Sequence, residues 1–384
     1  MGSTGTSLRV LFVVHSAKLG GAQQVALGQA RSLVREHELT IAIGHGPLRG
    51  EFEKLGPIVR APTRAPIWGA SRGRWALDLA RALPDAVRLA GIARRRHSDV
   101  VVANSTVLVS AVLAGRLARV PVVVHAQEAP KSVAARRLFR FHGALADTVV
   151  AISPWIAESF DGARARILDN PVGIALPPRP PCTAPSDRCA LRILVVGTID
   201  AHKRQDLAID ALVRLCAQGV RGTLELVGPE VDAAYGAALR DRAVRAGVDD
   251  RVTFAGPCSD VAAKMRAADV VLVPAGEVTP LVLMEAMAHG TPVVAARMGS
   301  IPSVVVDGDS GLLVPPDDPA AMALAIRRVA TEPGLARRLS ARARLRVEQC
   351  FDEVGSHQRL EAELERLADG GGRLRAPITL VGVR

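Results

Sequence analysis

Short valine-rich runs without polar alternation recur along this chain, and a helical pattern follows each. The first half holds LRVLFVV (Leu8–Val14), LTIAI (Leu39–Ile43), DVVVA (Asp99–Ala103), PVVVH (Pro121–His125) and DTVVAI (Asp147–Ile152). The second half holds LRILVVG (Leu191–Gly197), TLELVG (Thr223–Gly228), RVTFAG (Arg251–Gly256), DVVLVP (Asp269–Pro274) and TPVVAA (Thr291–Ala296). Continuous apolar runs of this length suit strands buried on both faces of a parallel sheet. Helical stretches such as Ala22–Arg35 and Asp206–Gln218 lie between them. Strand–helix alternation through both halves predicts an α/β protein of two doubly wound domains. A length of 384 residues accommodates two. Five prolines in ALPPRPPCTAPSDRCA (Ala175–Ala190) exclude regular structure and mark a linker. The domains are then 1–175 and 191–350, with the linker at 176–190 and a C-terminal helix and tail at 351–384.

The charge is uneven. The net charge is +11, yet residues 1–180 hold 24 Lys/Arg against 12 Asp/Glu, while the remainder is nearly balanced. That asymmetry points to an anionic partner for the first half, such as a membrane surface or a phosphorylated acceptor. Aromatic residues at 3% and the lack of a recognised binding motif argue against nucleic acid. No apolar run reaches membrane-spanning length. The N-terminal MGSTGTSLRVLFVV lacks a basic region before its apolar segment, so the expected location is cytoplasmic. Five cysteines without zinc-ligand spacing read as reduced, structural thiols.

Three stretches bear chemistry. In LGGAQQVALGQARSL, Gly20-Gly21 follows the first strand and opens a helix, which brings backbone amides toward a phosphate or sugar oxygen, or makes a plain turn. In GTIDAHKRQDLAIDAL, Lys203-Arg204 precede a helix after Gly197, either as an anion site or as a solvated pair. In EVTPLVLMEAMAHGTPVV, Thr279 caps a helix, Pro280 takes its first position, and the helix runs through Leu281–His289. Glu277 then stands at the crevice rim and Glu285 one to two turns inside. A carboxylate there suits the vicinal diol of a ribose, and the helix start between the acids suits a diphosphate. Incidental glutamates on a capped surface helix are the plainer reading.

The combined pattern resembles the family-four retaining glycosyltransferases of GT-B architecture, the group 1 glycosyltransferases. The resemblance runs from about Leu8 to Glu365, through LGGAQQ, HAQE (His125–Glu128), VVAISPWIAESF, DNPV (Asp169–Val172), GTIDAHKRQDLAIDAL, RVTFAGPCSDV, AADVVLVPA, Glu277-x7-Glu285 with AMAHGTPVVA, and GLLVPPDDPAAMA. It implies two facing Rossmann-like domains with a donor cleft between them, the C-terminal helix packing back on the N-terminal domain, and a UDP- or GDP-sugar as donor. Glu285 would bind the donor ribose. Glu277, His125 and Lys203 would be the catalytic groups: Glu277 and His125 at the transferred sugar, Lys203 at the diphosphate. Gly20, Gly21, Gly197, Thr198, Arg204, Thr279, Leu281 and Val282 would complete the donor site, with the base near Phe254–Gly256. No metal and no separate cofactor are expected.

Three positions depart from the family pattern. Thr198 stands where many members carry arginine, which leaves Arg204 or His202 to substitute. Thr279-Pro280 replaces Phe-Gly, so one amide donor is lost. Ser303 in SIPS (Ser300–Ser303) replaces an acid. The resemblance assigns the first domain to the acceptor, expected to be a lipid-linked, glycan or small-molecule alcohol in cell-envelope synthesis. Arg60, Arg64, Arg72–Trp75, Arg94–Arg96 and RRLFRFH (Arg136–His142) are its basic features. RRLFRFH suits either an interfacial membrane patch or an ordinary amphipathic helix. A natural-product transferase, a same-fold epimerase or hydrolase, and a non-catalytic, membrane-docked sugar-nucleotide binder are the alternatives.

Overall fold

The computed structural model describes residues 7–18, 21–59, 72–130, 132–160, 165–168, 190–276 and 280–370, without the side chains of residues 21, 72–79 and 134. The chain divides into two compact units, residues 1–173 with 353–384, and residues 174–352.

The first unit holds β1 (Arg9–Val13), β2 (Glu38–Ala42), β3 (Ile58–Val59), β4 (Val100–Ala103), β5 (Val122–Ala126), β6 (Thr148–Ala151) and β7 (Ala165–Ile167). They form one parallel sheet in the order β3-β2-β1-β4-β5-β6-β7. The second unit holds β8 (Leu191–Val196), β9 (Gly222–Val227), β10 (Val252–Gly256), β11 (Val270–Val273), β12 (Val293–Ala296) and β13 (Leu312–Val314). Its sheet is also parallel, in the order β10-β9-β8-β11-β12-β13. Both units are therefore doubly wound, and the ten apolar runs all lie on strands. Three short strands were not expected. β3 and β7 are half-buried and only two and three residues long, too short for a hydrophobic pattern to register. β13 is fully buried but sits inside GLLVPP, where it is only three residues long.

Every residue of β4, β5, β6, β11 and β12 is buried, which explains their valine content. The core of the first unit joins Phe12, Ile41, Val102, Val123 and Val150 to Leu360, Leu364 and Leu367 of the C-terminal helix Glu353–Ala368. Glu363 of that helix is 5% exposed and accepts from Thr148 Oγ1 on β6 at 2.8 Å, with Arg166 of β7 2.9 Å away. The buried carboxylate thus has both a hydrogen-bond donor and a cation beside it, as burial of a charged group requires. The chain thus leaves the second unit after residue 352 and completes the core of the first. The linker at 176–190 lies outside the described residues except for Ala190, as do the tail beyond 370, Asp169–Val172, Arg60 and Arg64.

Candidate active site

In an open parallel sheet, ligands bind beyond the strand C-termini where the winding reverses. The sheet orders put that reversal between β1 and β4 in the first unit and between β8 and β11 in the second. The loop after β8 carries Gly197, Thr198, Lys203 and Arg204. The loop after β11 leads to Leu281, Val282 and Glu285. Topology therefore gathers most of the expected donor residues at one point. Glu277 and Thr279, like Gly20, lie outside the described residues; Gly21 begins the helix Gly21–Leu33.

The β8 turn is built on backbone. Gly197 and Gly228 end β8 and β9 with φ of +152° and +146°. A Cβ on Gly228 would lie 2.0 Å from Gly197 O, so only glycine fits there. The aliphatic stem of Lys203 packs over Gly197, 3.7 Å from where a Cβ would stand. Asp200 shapes the next turn. Its carboxylate accepts from Thr198 Oγ1 and from His202 N at 2.9 Å, and so starts the 3-10 helix Ala201–Lys203.

Arg204 has left-handed backbone, φ 52°, and its guanidinium pairs with Asp206 at 3.1 Å and with Asp317. Those carboxylates hold its pKa above the ordinary arginine value, the Asp206 hydrogen bond contributing most. The expected free amides of the helix Gln205–Ala217 are also partly taken: Asp206 N donates to Tyr235 Oη at 3.1 Å, and Tyr235 Oη donates back to Asp206 Oδ1 at 2.9 Å. Burial pushes the Tyr235 phenol up to about 12, so it stays a hydroxyl. The charge of Arg204 is thus met within its own unit.

The helix after β11 is Leu281–Ala288, one residue shorter at each end than expected. Pro280 is its cap rather than its first residue. Its ψ of 57° is not helical, and its carbonyl accepts from Leu283 N and Met284 N at 3.1 and 3.2 Å. A cap needs only that carbonyl, so the missing N–H costs nothing here. Leu281 and Val282 lead the helix, where the intrahelical ladder offers their amides no acceptor. Glu285 stands one turn in. Burial alone drives its carboxyl above the ordinary range, and among the described residues no donor or cation compensates.

At the expected base site, Phe254 packs on the core and Arg240 stacks on its ring, 4.5 Å from the centroid. Arg240 is paired in turn with Glu230 at 2.6 Å. Gly256 O accepts from Gly228 N at 2.9 Å. Ser303 lies in the short helix Ile301–Val304 and donates to Ser300 O at 2.7 Å.

The first unit's crevice is made of side chains instead. His125 is the penultimate residue of β5 and is fully buried. Its Nδ1 lies 3.0 Å from Gln127 Nε2, 3.3 Å from Gln29 Nε2 and 3.5 Å from Asn104 Nδ2. Burial lowers its pKa to about 4, so the ring is neutral. Glu128 accepts from Ser105 Oγ and, at 3.1 and 2.7 Å, from Thr106 N and Oγ1, which ties the loop after β5 to the loop after β4. Beyond the crevice, RRLFRFH lies in the helix Val133–Leu145. Leu138 and Phe139 are buried, Phe139 stacking on Phe160 at 5.4 Å, while Phe141 is 49% exposed beside exposed Arg136, Arg137 and Arg140. The expected interfacial face is therefore reduced to one ring and three cations. Among the described residues, His37, Glu361 and Glu365 bring three metal-ligating atoms within 4.8 Å of one another. Leu8 N donates to His37 Nδ1 at 3.3 Å, which places the ring proton on Nε2, toward Glu361 at 3.5 Å, and so disfavours a metal there.

Two family models divide the chain. "Glycosyltransferase Family 4" matches residues 19–172, and "Glycosyl transferases group 1" matches residues 190–332. The chain belongs to the group 1 glycosyltransferases. Among its relatives, the D-inositol 3-phosphate glycosyltransferase of Streptomyces bingchenggensis is 34% identical over 225 residues, 54% of this chain and 46% of that protein. The protein of that name from Mycobacteroides abscessus is 45% identical over 127 residues, 32% and 28% of the two chains. The matched stretch thus spans less than half of these relatives. In fold, this group 1 glycosyltransferase is similar to HepE of Anabaena in complex with UDP, with a TM-score of 0.76 and 23% identity over 93% of this chain and 99% of that one. It is also similar to the sucrose-phosphate synthase of Thermosynechococcus elongatus, with a TM-score of 0.71 and 22% identity over 94% and 100%. Its fold class is that of the GT-B glycosyltransferases, two Rossmann-like domains.

Several residues of the candidate site of this group 1 glycosyltransferase gave no local signal. Gly228 reads as an ordinary strand end until β9 is placed beside β8. Gln205 is 1% exposed and donates to Thr198 O at 2.8 Å, which holds the β8 turn against the next helix. Gln29 and Asn104 sit 75 residues apart yet share a 2.7 Å hydrogen bond beside His125.

Proposed function

We propose that this protein transfers a sugar from a nucleotide-diphospho-sugar to an acceptor hydroxyl, with retention of configuration and without a metal ion. The observation that carries this reading is Glu285. A carboxylate desolvated on a helix at the β8/β11 reversal, with no described partner, is costly in the free protein. Two adjacent ribose hydroxyls would donate to it and remove that cost. The leading amides of Leu281 and Val282, with Lys203, would take the diphosphate and stabilise the charge that grows on it as the glycosidic bond breaks. Gly20 and Gly21 would add amides to it. Glu277 and His125 would contact the transferred sugar. The attacking hydroxyl would approach on the leaving-group face, with the departing phosphate taking its proton. The enzyme's part is then positioning and charge stabilisation.

HepE of Anabaena is described in complex with UDP and with UDP-glucose, which supports a uridine donor over a guanosine one. The base would lie along the backbone at Phe254–Gly256, since Arg240 already stacks on the Phe254 ring. Arg204, paired twice within its own unit, is left a structural role. For the acceptor, the relatives' name and the basic first unit support an anionic alcohol in cell-envelope glycan or glycolipid synthesis. Exposed Phe141 with Arg136, Arg137 and Arg140 supports its capture at an anionic lipid surface.

The test is thermal stabilisation by UDP, GDP and their sugars, for the wild type and Glu285→Gln. A ligand that binds only the folded state raises the melting temperature. Stabilisation by one nucleotide sugar, lost in the variant, is the expected result. Product formation with an acceptor panel, the anomeric configuration by NMR, and indifference to EDTA complete it. No stabilisation by any nucleotide would overturn the reading.

A further inference from the structure

His125 carries a second message in the hydrogen bonds around it. Three amide side chains from three elements converge on one ring nitrogen: Gln29 from the helix Gly21–Leu33, Asn104 from the loop after β4, and Gln127 from the loop after β5. All four residues are at most 4% exposed. The amides also orient one another. Asn104 Nδ2 donates to Gln29 Oε1 at 2.7 Å, and Gln127 Nε2 donates to Asn104 Oδ1 at 3.0 Å. Each carbonyl so used leaves an NH2 group turned toward His125 Nδ1. Reversing all three amides would put the two N–H groups of Gln127 where its Oε1 now lies buried without a partner. Two orphaned donors cost more than one orphaned oxygen.

We propose that Gln29, Asn104 and Gln127 are positioning residues that fix His125 in a single tautomer, Nδ1 accepting and Nε2–H donating, so that the ring presents a permanent neutral donor to an uncharged sugar oxygen. His125 Nε2 is buried and has no hydrogen-bond partner among the described residues, so a donor waits there for an acceptor that the free protein does not supply. The surrounding titratable groups leave the ring alone. Glu128 is taken up by Ser105 and Thr106, His15 Nε2 lies 3.0 Å from Gln23 Nε2, and His142 is buried on the helix Val133–Leu145. Burial is the one cause acting on the His125 pKa, which falls to about 4. The ring therefore neither gives nor takes a proton in the range where transfer is assayed. This role rests on the transferase reading for its ligand, but the tautomer does not.

The experiment has two arms. Long-range 1H–15N NMR of the full-length protein, with His125→Asn to assign the signal, reports the tautomer and titration of the ring with no substrate present. The transfer rate from UDP-sugar is followed from pH 5 to 8. The wild type is expected to keep Nε2–H throughout and to show no histidine titration in its rate. Gln127→Glu places a carboxylate at Nδ1, which raises the His125 pKa into this window. Below the new pKa the imidazolium keeps Nε2–H and transfer persists. Above it the proton stays on Nδ1, the donor is lost, and the rate falls roughly tenfold. Gln127→Met, of similar volume and uncharged, tests the same bond where the glutamate variant does not fold, and is expected to leave a mixed tautomer. A wild-type ring protonated on Nδ1, or titrating between pH 5 and 8, overturns the proposal. Nε2–H without any transfer leaves the tautomer assignment standing and counts against the transferase reading instead.

Discussion

The two crevices differ in what they are made of. In the second unit the β8 turn is backbone: Gly197 and Gly228 lie so close that a single Cβ would collide, and the candidate ligand groups beside it are amides, Lys203 and the buried Glu285 carboxyl. In the first unit the corresponding edge is filled by side chains, Asn104, Ser105, Thr106, His125, Gln127 and Glu128, nearly all hydrogen-bonded to one another. A backbone-built edge can meet phosphates, which need many donors at short range. An edge of interlocked side chains gives fixed directions and suits hydroxyls, which are told apart by geometry. The proposed division between a donor half and a sugar-positioning half rests on this contrast.

The largest effect expected is on the first unit's integrity. Leu364→Ala removes a fully buried side chain of the C-terminal helix and should cost about 2–5 kcal/mol. If the units unfold as separate steps, chemical denaturation should shift only the first unit's transition, and an equal shift in both would break the division. Glu285→Gln comes next, with a loss of roughly a hundredfold in kcat/KM, about 2.7 kcal/mol. The same variant should be more stable than the wild type at neutral pH. Burial raises the folded pKa of Glu285, so the folded state favours the protonated form and the ionised group costs stability as pH rises above the ordinary carboxylate range. Melting curves of the two proteins should converge below about pH 4.

Gly228→Ala tests the backbone-built edge. The methyl group meets Gly197 O, and strain of about 1–3 kcal/mol should appear together with weakened nucleotide binding. Unaltered stability and binding would remove the argument for a backbone cradle. The smallest effects separate two adjacent cations. Lys203→Ala should weaken UDP binding by roughly tenfold, as loss of a charge-assisted contact does. Arg204→Ala loses a partly exposed ion pair and should cost about 0–1 kcal/mol in stability, with little change in UDP affinity. Calorimetry on both variants decides the order, and a larger effect for Arg204 would reverse these roles.

Much of this architecture was legible because buried parallel strands write themselves as valine runs. β4, β5, β11 and β12 are buried along their whole length, and His125 on β5 is the one polar residue among them. The glutamate helix could be placed because Pro280 and Gly290 bracket it. Its start was off by one position, since a proline can serve as cap or as first residue and only ψ separates the two. Edge strands β3 and β7 left no trace, because two or three half-buried residues show no period.

Long-range pairing was beyond the sequence for a different reason. Arg204 and Lys203 are equivalent neighbours in a string of letters. Nothing in that string shows that folding brings Asp317 against Arg204 from 113 positions away. Phe139 and Phe141 are two positions apart on one helix, about 200° around its axis. Only the packing of Phe160 decides which of them enters the core. The alternation of apolar runs and helices determined the two-sheet fold class by itself, since burial on both faces demands that composition. Which loops meet at each reversal, which carboxylates pair with Arg204, and which nitrogen of His125 holds the proton were decided by tertiary structure alone. Each depends on groups that are distant along the chain and become neighbours only when the sheets form.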